Sequence, residues 1–114
     1  MRKFQIGTEN LSDGIALVNV EGFLDAHTFE ELENTINHLF SAKTYRLIVD
    51  LSKVDYISSA GAGVFIGAIG TAQENQGNII LMRPTANVKE VFDLLGLSQL
   101  FQFAEEVDAA VKLF

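Results

Sequence analysis

Cysteine and tryptophan are absent from this 114-residue chain, proline occurs once and histidine twice. The lack of cysteine excludes disulfides, thiolate metal sites and cysteine nucleophiles, and it fits a reducing compartment. No stretch approaches the roughly 18 apolar residues that a membrane span requires. The longest apolar run, residues 60–69, is short and glycine-rich, so it predicts a buried helix. The N-terminus lacks the apolar core of a signal peptide.

Positive charge is also scarce. Lysine and arginine total eight against 15 acidic residues, which gives a net charge of −7. Phosphate backbones and anionic membranes require clustered basic residues, so we expect neither nucleic acid nor membrane as a partner. The hydrophobic fraction of 48% is ordinary for a globular protein, and the length predicts a single domain over residues 1–114.

Hydrophobic periodicity predicts strands that alternate with helices after an initial hairpin. Strands are predicted at Phe4 and Ile6 and over residues 15–20, 47–51, 78–82 and 101–103. Helices are predicted over residues 26–41, 59–75 and 87–95, and from Val107 onward; residues 12–14 form a turn and residues 52–55 a polar link. This order implies an α/β fold with a mixed, mostly parallel sheet of four to five strands and about four helices. The polar link leaves the carboxyl end of a strand, where binding sites of such sheets lie.

Ser58 and Ser59 stand at the start of the glycine-rich helix. A hydroxyl there faces unpaired backbone N–H groups and the positive end of the helix dipole, which suits a negative charge, including covalent phosphate. Serine is also a common helix N-cap. One serine suffices for a cap, so the second hydroxyl favours a functional role.

Nucleotide binding is not supported by the glycines of this helix. The pattern G-x-G-x-x-G requires glycine at Ile66, but the third glycine is Gly67, and no Gly-Lys-Ser/Thr sequence follows. We therefore expect Gly61, Gly63, Gly67 and Gly70 to let the helix pack closely on the sheet or on a neighbour.

A serine hydrolase is not supported either. The elbow G-x-S-x-G requires glycine where Ile57 stands, and His27 and His38 complete no recognisable triad. The histidines and the scattered acidic residues show no metal-ligand spacing. We assign no catalytic residue, no metal ligand and no cofactor.

Three carboxylates, Asp25, Asp50 and Asp55, lie near predicted strand ends or in the polar link. Two interpretations remain open. They converge near the serines, for acid/base chemistry or magnesium binding, or Asp25 caps a helix and the others form local hydrogen bonds. Thr28 is the other candidate for the helix cap.

The run VDYISSAGAGVF, residues 54–65, resembles the signature of the anti-sigma-factor antagonists, the family that defines the STAS domain. In that pattern a strand ends in Asp-Leu-Ser, and an aromatic and an aliphatic residue precede Asp or Ser, the regulatory Ser, a small residue and Gly. The matching residues are Asp50, Leu51, Ser52, Tyr56, Ile57, Ser58, Ser59, Ala60 and Gly61. Gly22, Leu24 and Asp25 resemble the turn that opens the first family helix, and Val91, Phe92, Gly96, Leu97 and Phe101 resemble the C-terminal segment.

The resemblance implies a bacterial, cytoplasmic regulator that is not an enzyme. Its unphosphorylated form binds an anti-sigma factor, usually also a serine kinase, and so frees the sigma factor. Phosphorylation of the loop serine ends this contact, and a serine phosphatase restores it. By position the phosphorylated residue is Ser59, with Ser58 as the alternative. The implied partner-binding residues are Asp25, Ser58, Ser59, Ala60, Gly61 and Ala62.

Two positions depart from the common pattern, because many family members have Asp at Ser58 and Ser or Thr at Ala60. We expect a monomer or a weak homodimer. The alternative function is a STAS scaffold subunit of a stress-signalling or lipid-transport complex, without a phospho-switch.

Overall fold

The computed structural model describes residues 3–114. Its strands are β1 (Gln5–Asn10), β2 (Ile15–Leu24), β3 (Arg46–Ile57), β4 (Asn78–Met82) and β5 (Gln102–Ala104). Its α-helices are α1 (Phe29–Ser41), α2 (Ser59–Glu74), α3 (Ala86–Leu94) and α4 (Val107–Val111), and Ser12–Gly14 is a short 3-10 turn. The strands form one sheet in the order β1-β2-β3-β4-β5, antiparallel only between β1 and β2. The predicted mixed α/β architecture is confirmed.

Hydrophobic side chains alternate between the two faces of the sheet. One face, with Val18, Val49 and Leu81 among its residues, forms the main core beneath α1, α2 and α3. The opposite face carries a smaller cluster, which includes Ile48 and Ile80 and is covered by α4. Both faces of the central strands are buried, which explains why these strands are nearly continuous apolar runs in the sequence.

Strand β3 is longer than predicted. Residues 52–55 are not a polar link but a continuation of the strand, paired with the equally extended second half of β2. Asn19 pairs with Asp50 but Glu21 pairs with Lys53, so β3 bulges by one residue there, and a second bulge follows before Tyr56. The bulges keep Val54 and Ile57 in the core.

The first helix begins at Phe29, not at residue 26. Neither proposed cap forms a side-chain cap on it. Instead, Thr28 Oγ1 accepts the N–H of Asp25 at 2.9 Å and donates to the Phe23 carbonyl at 2.7 Å. These bonds build a tight turn that takes up the residues between β2 and α1.

Strand β1 extends to Asn10, beyond the segment predicted at Phe4 and Ile6, and β2 extends to Leu24, beyond the predicted residue 20. The boundaries of α2, β4, α3 and β5 agree with the prediction within one residue, and Thr85 is the N-cap of α3. Gly77, which follows the end of α2, cannot carry a side chain, because a Cβ there would lie 2.0 Å from the Tyr45 carbonyl oxygen. Among residues 3–114, no helix has the length and apolar character needed to cross a membrane.

Candidate functional site

The two serines at the start of α2 have different structural roles. Ser58 is the N-cap, and its Oγ accepts the N–H of Gly61 at 3.3 Å. Ser59 is the first helical residue, is exposed, and its hydroxyl forms no hydrogen bond within residues 3–114. The spare hydroxyl that the sequence indicated therefore belongs to Ser59, and it is accessible to a modifying enzyme.

The backbone before the serines is held from two sides. The N–H of Ser58 donates to the Leu24 carbonyl at the end of β2, at 3.0 Å. The N–H of Ile57 donates to Asn87 Oδ1 in α3, at 3.2 Å. Beside it, Thr85 Oγ1 donates to the Val54 carbonyl at 3.0 Å. Because β4 ends at Met82 and cannot pair with this part of β3, the side chains of Thr85 and Asn87 take the place of a neighbouring strand.

Gly61 allows the first turn of α2 to lie against β2. A Cβ at this position would be 2.6 Å from the Leu24 carbonyl oxygen and 2.8 Å from Leu24 Cγ. Gly63, Gly67 and Gly70 have no such neighbour within 4 Å and are exposed. The expectation that these glycines serve close packing within the chain is thus met by Gly61 alone.

The other predicted partner-binding residues differ in accessibility. Asp25 and Ala60 are partly exposed, whereas Gly61 and Ala62 are buried. The accessible surface at this site is therefore made by Asp25, Ser58, Ser59 and Ala60. Gly61 and Ala62 shape that surface from below by fixing how the helix is seated.

Of the three carboxylates singled out in the sequence, Asp25 is the one that borders the serines. Asp25 follows Leu24 and so borders the serines, and its Oδ1 accepts the N–H of His27 at 2.9 Å. Asp55 is exposed, three residues before Ser58 on the bulged end of β3. Asp25 therefore adds negative charge beside the serine pair.

Asp50 does not border the serines. It lies opposite Asn19 and Met82 in the sheet, accepts the N–H of Ser52 at 2.9 Å and pairs with Arg83 at 3.4 Å. The continued β3 strand separates it from the serines. For Asp50, the interpretation as a residue that forms local hydrogen bonds is therefore the one that agrees with the structure. Across residues 3–114 no group of three or more His, Cys, Asp or Glu side chains could hold a metal ion.

The histidines lie away from any nucleophilic arrangement with Ser59. His27 is exposed in the turn before α1, and His38 lines a shallow pocket between α1 and β1, with Ile6 and Thr8. No hydrogen bond joins either ring to a serine in the described part of the chain. Neither histidine is therefore placed to activate the Ser59 hydroxyl.

Two features of the site escaped sequence analysis. The side chain of Asn87 accepts a hydrogen bond from the distant Ile57 N–H, which no local sequence pattern predicts. Phe23 and Tyr56 pair across β2 and β3, with ring centroids 5.6 Å apart, and both are exposed. The one signal for the aromatic pair was the position of Tyr56 in the serine motif. Its partner could be found only once β2 was known to extend to Leu24.

Comparison with known proteins gives a consistent result. The chain matches the STAS domain over residues 10–110. It is 31% identical to an anti-sigma-B factor antagonist of Staphylococcus epidermidis over 88 residues, which cover 77% of this chain and 82% of that relative.

Solved structures share the fold. SpoIIAA in its unphosphorylated form, an anti-sigma factor antagonist, aligns with a TM-score of 0.81 and 23% identity, covering 97% of this chain and 96% of that one. The Bacillus cell fate determinant SpoIIAA in the phosphorylated form aligns with a TM-score of 0.75 and 22% identity, covering 96% and 100%. At these identities the likeness shows the fold alone.

Proposed function

Since this chain belongs to the STAS domain family and, within it, to the anti-sigma factor antagonists, we propose that it binds an anti-sigma factor through the serine end of α2. Phosphorylation of Ser59 ends that contact. The observation that carries the proposal is that the two serines have different structural roles. Ser58 is occupied as the helix cap, while Ser59 is exposed with a free hydroxyl. Modification of Ser59 therefore leaves the cap intact.

Simple electrostatics favours a switch that acts on the complex and spares the fold. A phosphoserine adds about −1.5 to −2 charges at neutral pH. At the first position of α2 the helix dipole favours this charge by about 0.3–1 kcal/mol. In an interface the same dianion must be desolvated beside Asp25, at a cost of several kcal/mol. Because each 1.4 kcal/mol is about tenfold in affinity, the complex dissociates while the domain remains folded.

The proposal includes a cycle of partners. A serine kinase, which is the anti-sigma factor itself or acts with it, modifies Ser59, and a serine phosphatase reverses the modification. The exchange takes place in the bacterial cytoplasm. That SpoIIAA exists in phosphorylated and unphosphorylated forms on the same fold supports such a cycle here.

The test combines intact-mass measurement with affinity measurement. The candidate kinase is purified from the source bacterium and incubated with the chain, with and without ATP. We expect a single added phosphate on wild type and on Ser58→Ala, and none on Ser59→Ala. We also expect Ser59→Asp to lose binding to that kinase and Ser59→Ala to keep it in the presence of ATP.

Equal binding of Ser59→Asp and wild type would contradict the proposed switch. In that case the chain acts without phosphorylation, as a scaffold subunit of a stress-signalling or lipid-transport complex would. Phosphate found on Ser58 in place of Ser59 would show that the assignment of the two hydroxyls is reversed.

A further inference from the structure

The second halves of β2 and β3 form a two-stranded ribbon at the serine end of the sheet. Strand β4 pairs with β3 only from Arg46 to Asp50, so residues 51–57 of β3 pair with β2 alone. One face of the ribbon is buried in the main core through Leu24, Val54 and Ile57. The ribbon therefore has a second face, which we call the outer face, made by Glu21, Phe23, Lys53 and Tyr56.

The outer face is accessible. Helix α4 covers the same side of the sheet only over its first half, at Ile15, Leu17, Ile48 and Ile80. Beyond that helix, Phe23 is 37% and Tyr56 41% exposed, and their rings contact each other. Lys53 and Glu21 form an ion pair at 3.5 Å next to them. Paired aromatic rings beside charged groups are a combination typical of protein interfaces, in which tyrosine often dominates the binding energy.

The aromatic pair is continuous with the serine site. Tyr56 is two residues before Ser58, which corresponds to about 7 Å along a strand. Phe23 directly precedes Leu24, whose carbonyl accepts the Ser58 N–H, and the Phe23 carbonyl itself accepts a hydrogen bond from Thr28 in the turn that holds Asp25. A protein that sits on Ser59 with an interface of ordinary size, about 800 Å² per partner, must extend over neighbouring surface of this kind.

We propose that the Phe23–Tyr56 pair is the apolar half of the surface that binds the anti-sigma factor. It meets an apolar pocket that has a basic side chain at its border. The basic side chain follows from charge complementarity, because Asp25 lies two residues after Phe23 whereas the Glu21 carboxylate is already paired with Lys53. The inference rests on the proposed function. It adds an aromatic contact through Phe23 and Tyr56, which phosphorylation does not alter, to the contact at Ser59, which phosphorylation removes.

Alanine variants test the contribution of each ring to binding of the purified kinase named above, by titration calorimetry without ATP. We expect Phe23→Ala and Tyr56→Ala each to weaken binding by about tenfold or more, as interface hot spots do. The matched control is Leu113→Ala, since Leu113 is 39% exposed and follows α4 at the other half of the sheet. We expect this control to bind within about threefold of wild type, the scatter of contacts outside hot spots.

A chemical measurement on the unmutated chain guards against variants that fail to fold. The chain has two tyrosines and no tryptophan, so nitration by tetranitromethane can be mapped to Tyr45 and Tyr56 by peptide mass. We expect Tyr56 to be nitrated in the free protein and protected in the complex. Protection that appears in the free protein as its concentration rises would identify a second copy of this chain as the occupant and would overturn the inference.

The two proposals fail in different ways. If wild type binds and Ser59→Asp does not, the proposed function stands. Unchanged binding by both alanine variants, with Tyr56 nitrated equally in the complex, then overturns only the aromatic contact. If wild type binds no kinase that modifies Ser59, both proposals are overturned together.

Discussion

The two serines should differ in their effect on stability as well as in modification. Ser58→Ala removes the oxygen that accepts the Gly61 N–H and leaves that donor without its protein acceptor. Loss of a serine N-cap costs about 0.5–2 kcal/mol. The bond is long at 3.3 Å, so we expect a loss of about 1 kcal/mol in the free energy of unfolding, within that range.

The substitution Ser59→Ala should have no such cost. The Ser59 hydroxyl has no hydrogen-bond partner among the described residues, and the residue lies inside the helix. Alanine is a better helix former than serine by up to about 0.5 kcal/mol. We therefore expect Ser59→Ala to be neutral or slightly stabilising, with an effect opposite in sign to that of Ser58→Ala.

Urea unfolding followed by circular dichroism measures this difference. A loss of about 1 kcal/mol lowers the urea midpoint by about 0.5 M for a slope of ordinary size, and it lowers Tm by about 4 °C for a domain of this length. The dependence of the unfolding free energy on urea concentration is measured for wild type and both variants, because a change in this slope would indicate a changed unfolded state. Equal midpoints for the two variants, or a larger loss for Ser59→Ala, would refute the division of roles on which the proposed phosphosite depends.

Two further predictions concern packing and pH. Gly61→Ala should lower the free energy of unfolding by about 1–3 kcal/mol, because its Cβ would lie 2.6 Å from a carbonyl oxygen of β2. Gly67→Ala is the control in the same urea series. A Cβ at Gly67 meets nothing within 4 Å, so this variant should be more stable than wild type by up to about 1 kcal/mol. Hydrogen bonds, first from Ser98 and then from Lys89, lower the pKa of Asp93 below its ordinary 3.8. The stability from this carboxylate is therefore present above pH 3.8 and lost as the pH falls through the lower folded-state pKa. Ser98→Ala should raise that pKa in a carbon-13 NMR titration, and an unchanged titration would refute this cause.

The sequence predicted the sheet, its four helices and the serine motif, because each depends on local periodicity or local capping chemistry. It missed the second half of β3 for a definite reason. Inward residues there are Leu51, Val54 and Ile57, which are spaced by three, whereas an unbroken strand alternates every two residues. Each bulge adds a residue to the period, so a continuous strand looks like a polar loop.

The candidate site was predictable only in part. The serines and Asp25 follow from one motif and one turn. The placement of Asp50 away from them depends on the same missed bulges, and its pairing with Arg83 joins residues distant in sequence. The bond from Ile57 to Asn87 spans 30 residues and involves an ordinary surface-type side chain. Such contacts are properties of the assembled sheet, and no window of neighbouring residues contains them.

The hydrogen bonds that hold the backbone of Ile57 and Ser58 also mean that the serine site reaches its final geometry only late in folding. Its two backbone bonds are closed by Leu24, which is synthesised long before the serines, and by Asn87, which is synthesised well after them. A nascent chain on the ribosome therefore carries both serines without their final geometry until α3 has emerged and docked. A kinase of the kind proposed above, if it recognises the folded shape of this loop, would therefore modify the chain only after α3 has docked.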